Sequence, residues 1–165
     1  MILGMSLATF TTVHVIISLI AIVSGIVVVI GMLGANRMPG WTAVFLLFTV
    51  LTSVTGFLFP LSSLTPAAIF GIISLVTLAI ALFALYGKHL DGAWRWIYVV
   101  TAMLALYLNV FVLVVQSFQK LSFLQPLAPT QSEPPFAVAQ IVVLAAFVVL
   151  GWLAVKRFHP ERIAA

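Results

Sequence analysis

LATFTTVHVIISLIAIVSGIVVVIGML, residues 7–33, is the stretch on which the fold of this chain turns. It contains no Lys, Arg, Asp or Glu, and its sole titratable side chain is His14. The hydrocarbon core of a bilayer is about 30 Å thick and takes roughly 20 apolar residues of helix. The stretch is long enough to cross it. A cleavable signal peptide would start with a basic segment and carry a shorter apolar core. Nothing before His14 is basic, so the run is expected to stay in the protein as a helix.

Four further runs repeat the pattern, at 41–59, 67–86, 96–115 and 137–155. Of the 165 residues 64% are hydrophobic and 6% charged, whereas a soluble domain carries about 25% charged residues. Such a chain cannot cover a surface facing water. The expected fold class is all-α: a polytopic bundle of five spanning helices, forming one membrane domain over 1–165. No internal repeat of the inverted-transporter kind is visible.

The charges give the expected orientation. Arg37, Lys88, Arg95, Lys156, Arg157 and Arg162 fall on one side of a membrane crossed five times, and Lys120 on the other. Cytoplasmic loops retain Lys and Arg, which predicts N-terminus out and C-terminus in. Trp41, Trp94 and Trp96 sit at the inner boundary, where an aromatic belt belongs. The net charge of +4 is spread over helix ends, so the partner it implies is the lipid headgroup layer and not nucleic acid. The absence of cysteine removes disulfides, thiolate metal sites and thiol nucleophiles.

The connections are short until the fourth. Pro39 and Gly40 punctuate the first, and Thr65 before Pro66 reads as a helix N-cap. Lys88, His89, Asp91 and Arg95 read as a solvated mixed-charge loop. The fourth connection, 117–135, reads SFQKLSFLQPLAPTQSEPP and lies outside. Phe118, Leu121 and Leu124 have helical spacing, so the fourth helix is expected to run on to about Gln125 as an interfacial stem. Pro126 and Pro129 would end it. Ser132 is expected to cap the fifth helix, with Glu133 facing the positive end of its dipole.

Membrane helices associate through small residues and interhelical hydrogen bonds. The polar ones here crowd toward the outer half: His14 in the first helix, Thr52, Ser53 and Thr55 in the second, Asn109 and Gln116 in the fourth, Gln140 opening the fifth. His14, Thr52, Ser53, Asn109, Gln116 and Gln140, beneath the 117–135 loop, form the candidate ligand-binding set. An intramembrane histidine is a functional hypothesis by default. His14 has two readings, a neutral imidazole bonded to a Ser or Thr on a neighbouring helix, or a ligand to haem iron or a quinone. His89 and His159 belong to the opposite face and cannot share an iron with it, and no metal site is expected. No carboxylate lies inside a span, which disfavours ion-coupled transport, and no catalytic motif marks an enzyme.

Residues 107–136, YLNVFVLVVQSFQKLSFLQPLAPTQSEPPF, resemble a stretch of small, uncharacterised bacterial inner-membrane proteins. The resemblance covers the second half of the chain and is most distinctive over 128–136. It implies a bacterial cytoplasmic membrane with the 117–135 loop in the periplasm, and it implies no activity. Three functions remain open: a non-enzymatic accessory subunit or small bundle holding a quinone or lipid at its periplasmic half; a haem-binding redox protein using His14; and an uncoupled channel or carrier for a small neutral solute. The partners expected are the bilayer and either another membrane protein or further copies of the chain.

Overall fold

The computed structural model describes residues 1–60 and 63–160. Arg162, one of the charges assigned above to the inner side, lies outside the described residues, as do 61 and 62 in the second connection. In chain order the helices are α1 (Leu7–Leu33), α2 (Pro39–Phe57), α3 (Pro66–Leu82), α4 (Trp94–Lys120) and α5 (Pro134–Arg157). A π-helical turn, Phe83–Gly87, continues α3, and a single 3-10 turn, Gln125–Leu127, interrupts the last connection. No strand occurs among the described residues. All five helices are long and apolar enough to cross a membrane, consistent with a multi-pass integral membrane protein.

The ends of the helices follow local chemistry. Ser6 accepts from the Thr9 amide at the start of α1, and Thr65 accepts from the Ala68 amide at the start of α3, each at 3.2 Å. Proline opens α2, α3 and α5, where its missing N–H would be unpaired in any case. That moves α2 and α5 two or three residues earlier than the apolar runs suggest. The expected stem is shorter than its hydrophobic spacing implied: α4 stops at Lys120, and Leu121 is already extended. Ser132 does not cap α5. Glu133 is the capping residue, and its carboxylate turns back into the loop instead of onto the helix amides.

Successive helices run antiparallel. α1 and α2 pair symmetrically about their tight turn, with His14 against Thr55, Gly25 against Phe45 and Gly31 against Met38. α2 meets α3 through Ser53 and Ser74, α3 meets α4 through Phe70 and Phe111, and α4 returns to α1. Gly25 permits the closest approach. A Cβ there would stand 2.6 Å from Leu106 Cδ1 and 2.8 Å from Phe45 Cδ1, so any side chain would wedge α1 away from α2 and α4. α5 lies outside this four-helix group, mainly on α4, and Ala154 is its one buried residue. An aromatic ladder holds it there: Phe118 with Phe136, Tyr107 with Phe147, Tyr98 with Phe158.

The bundle therefore has two ends. The loop end carries the N-terminus and the α2–α3 and α4–α5 connections. The basic end carries the other two connections and the last turn of α5. The apolar core fills the basic half: Val28 and Met32 of α1, Phe45 and Leu46 of α2, Leu78 and Ala81 of α3, Tyr98 and Ala102 of α4, and Phe158 just past α5.

Candidate functional site

At the loop end, the Nδ1 atom of His14 lies 2.7 Å from the Thr55 hydroxyl. The direction of this bond follows from the other contact of Thr55. Its hydroxyl lies 2.6 Å from the Leu51 carbonyl, four residues back, and donates to it. Thr52, Thr77 and Thr101 direct their hydroxyls to the same i−4 carbonyl, because a helix interior in lipid offers few other acceptors. With its one proton committed, Thr55 can only accept, so His14 donates from Nδ1. In the neutral imidazole this places the proton on Nδ1 and leaves Nε2 as the acceptor.

The surroundings of the ring are apolar. Phe59 meets the imidazole edge-on at 5.2 Å, and Phe10 packs on Phe59 at 5.0 Å. Gly56 lies beside one edge: a Cβ there would be in ordinary contact with His14 Cε1, at 3.8 Å. His14 is half-buried. Among the described residues the sole fully enclosed side-chain polar atom without a partner is Gln140 Oε1. Nε2 of His14 thus has no hydrogen-bond partner among the described residues and is not fully enclosed.

The other candidate residues divide among separate places. Ser53 is buried and donates to the Thr49 carbonyl and Ser74 hydroxyl, both at 3.1 Å. Asn109 Nδ2 donates to the Thr49 hydroxyl at 3.3 Å, joining α4 to that cluster. Thr52, one residue away, spends its hydroxyl on the Phe48 carbonyl and is only half-buried. Gln140 donates to the Phe111 carbonyl at 3.3 Å and leaves Oε1 orphaned between α4 and α5. Gln116 is exposed. The structure therefore brings Ser53 and Asn109 into one network through Thr49, sets His14 on the α1–α2 seam, and keeps Gln116 and Gln140 apart from both. Thr55, Thr49 and Ser74 are the partners the candidate set lacks. Symmetry about the 34–38 turn is the signal that pairs residue 14 with residue 55.

Above these groups the loop makes its own polar structure. Gln131 donates to the Val115 carbonyl at 3.1 Å and accepts from Gln119 at 3.3 Å. Glu133 accepts from the Thr130 hydroxyl at 2.7 Å and from the Thr130 and Ser132 amides at 3.1 Å. The Thr130 hydroxyl, helped by those amides, holds the Glu133 carboxyl below the usual glutamate range. A polar hollow of about 190 Å³ opens between Phe118, Gln119, Gln125, Thr130 and Gln131. A separate apolar groove of about 310 Å³ runs along the outer face of α1 and α2 beside Ile16, Leu19, Val23 and Trp41.

The basic end corrects one expectation. Arg95 is not a solvated loop residue: it stands in the first turn of α4, and its Nη1 donates to the Val155 and Phe158 carbonyls, both at 2.8 Å. It thus places its charge on the negative end of the α5 dipole. Lys88 lies over the rings of Phe83 and Trp94, at 5.5 and 6.0 Å, and Lys156 lies 3.9 Å from the Trp152 ring. Among the described residues no group of three His, Cys, Asp or Glu side chains is placed to hold a metal ion. No protein-family model matches this chain, and no curated protein or solved structure matches it.

Proposed function

We propose that the chain is a non-enzymatic protein of a bacterial cytoplasmic membrane, N-terminus outside, that holds a hydrophobic ligand beside His14 at its loop end. The ligand class is a quinone or a lipid, and the protein works either alone, as copies of itself, or as an accessory subunit of a larger membrane assembly. The observation that carries this reading is the His14–Thr55 pair, with Nε2 left without a hydrogen-bond partner among the described residues. A histidine inside a span is costly to keep and is retained where it serves. The location agrees: the basic half holds most of the apolar core, and the His14–Thr55 pair lies in the loop half.

Gentle solubilisation followed by native mass spectrometry tests the reading. A quinone or lipid should be retained by the protein and lost from His14→Ala; a bare protein in both cases would redirect the search to a partner. Alkaline phosphatase fused after Thr130 should be active and fused after Lys88 inactive, and the reverse pattern would discard the periplasmic placement.

Haem is the second reading, and one observation favours it: Thr55 orients His14 through Nδ1 as outer-sphere groups orient metal-bound histidines, leaving Nε2 for iron. Against it, His89 and His159 belong to the basic end, so this chain alone could supply one axial histidine. A visible spectrum without a Soret band would end it.

A further inference from the structure

Resting on the ligand-binding reading, we infer that the site at His14 takes a ligand that donates a hydroxyl, so that it binds a hydroquinone and turns away the corresponding quinone. The inference follows from the direction of a short chain of hydrogen bonds. The Leu51 carbonyl takes the Thr55 proton at 2.6 Å, and Thr55 therefore takes the His14 Nδ1 proton at 2.7 Å. A neutral imidazole has one N–H, and here it is spent inside the protein. What remains for a ligand is a lone pair on Nε2.

A quinone carbonyl also offers only lone pairs. Facing Nε2 it would meet acceptor against acceptor, and both would lose their hydrogen bonds to water with no return. A hydroquinone presents an O–H of the right sense. The remainder of the site suits an aromatic ring. Phe59 and Phe10 wall one side, and the edge over Gly56 carries no side chain. His14 lies two turns into α1, about 10 Å from Leu7 along the axis, and level with the last turn of α2 through its bond to Thr55. That depth lies close to the loop-end boundary of the spans, where the head of a membrane-dissolved amphiphile rests while its tail stays in hydrocarbon.

The same chemistry has a second source, the free hydroxyl of a lipid alcohol. The probes separate the two. Protein in lipid nanodiscs is titrated with an alkyl-tailed benzohydroquinone, its quinone, its dimethyl ether and dioleoylglycerol, and bound probe is counted by native mass spectrometry. The hydroquinone should bind about tenfold more tightly than the quinone or the ether, the ratio that one net hydrogen bond produces. Selective binding of the hydroquinone names the aromatic source, and selective binding of dioleoylglycerol names the lipid source; either upholds the donor rule. Thr55→Val should shrink the hydroquinone preference toward equality, because the proton is then free to move to Nε2, and the ¹⁵N shift of the His14 ring should report the move. If wild-type protein binds quinone or ether as tightly as hydroquinone, the donor rule is overturned while the ligand-binding reading stands. If no probe binds at all, both fall. The comparison is made within the unaltered protein, so it does not depend on any variant folding.

Discussion

The two halves of this bundle are built by different rules. In the basic half apolar side chains interlock into the main core, and Arg95, half-buried at the start of α4, finds two carbonyls at 2.8 Å. In the loop half, side-chain hydrogen bonds join the aromatic contacts: His14 to Thr55, Asn109 to Thr49, Gln140 to Phe111. Two polar atoms there, His14 Nε2 and Gln140 Oε1, have no hydrogen-bond partner among the described residues. Lipid supplies no hydrophobic drive for helices to associate, so close packing must do the holding. The half that packs best holds the fold, which leaves the other half free to keep polar groups that packing alone would not choose.

That contrast can be broken most directly by comparing two phenylalanines. Phe45→Ala, in the sealed half, should lower stability by about 3–5 kcal/mol, through lost burial and the cavity left behind. Phe59→Ala, at the half-open loop end, should lose less than half of that. Thermal unfolding of both variants in one detergent decides the matter, and equal losses would erase the distinction. Arg95→Met should come next, at about 1–3 kcal/mol for the carbonyls left without a donor. Hydrogen exchange should place that loss in the last turn of α5, and protection unchanged there would mean the clamp holds nothing. The His14–Thr55 pair should matter less still. A double-mutant cycle with His14→Leu and Thr55→Val should return a coupling near 0.6 and at most about 1.7 kcal/mol, the range for hydrogen bonds between membrane helices. A much larger value would make the pair structural first and a binding feature second. Gln140→Leu should be the mildest, within about 0.5 kcal/mol of neutral, since it removes an orphaned acceptor along with a long hydrogen bond.

The loop sharpens the comparison by pH. Glu133 is held below its ordinary value of 4.5 in the folded loop, so its ionised form favours that fold. The contribution is complete above the ordinary value and fades as pH falls through the lowered one. Amide exchange at Thr130 and Ser132 should therefore accelerate in acid and not in base, and Glu133→Gln should show the faster exchange at every pH. Amide exchange in the last turn of α5, where Arg95 holds the Val155 and Phe158 carbonyls, should not follow.

Much of this was legible from residue order. The five spans follow from apolar runs because a helix in lipid must satisfy its backbone internally, and length is the main constraint. Alternating helix direction also converts position in the chain into depth, which sets His14 level with the last turn of α2. Rotation about each helix axis was not. These helices are apolar on nearly every face, so periodicity cannot say that Asn109 turns to Thr49 while Gln116 turns outward. The caps misled for a local reason: Ser132 has the better capping chemistry, but Thr130 and Glu133 bond to one another first. Arg95 reads as solvated because it closely follows Lys88, His89 and Asp91, whereas its partners, Val155 and Phe158, lie sixty residues or more away along the chain.

All four tryptophans of the chain, Trp41, Trp94, Trp96 and Trp152, stand at the basic end. The intrinsic emission of this protein is accordingly a one-sided signal. It reports the leaflet, the quenchers and the hydration at that end, and it is blind to events at the other, since Trp41 and Thr55 are separated by about 20 Å of helix. A quencher confined to one leaflet would read the orientation of the protein in a vesicle directly from the native fluorescence. Conversely, Phe59→Trp would install a lone emitter beside His14, and the difference between the two spectra would isolate what happens there.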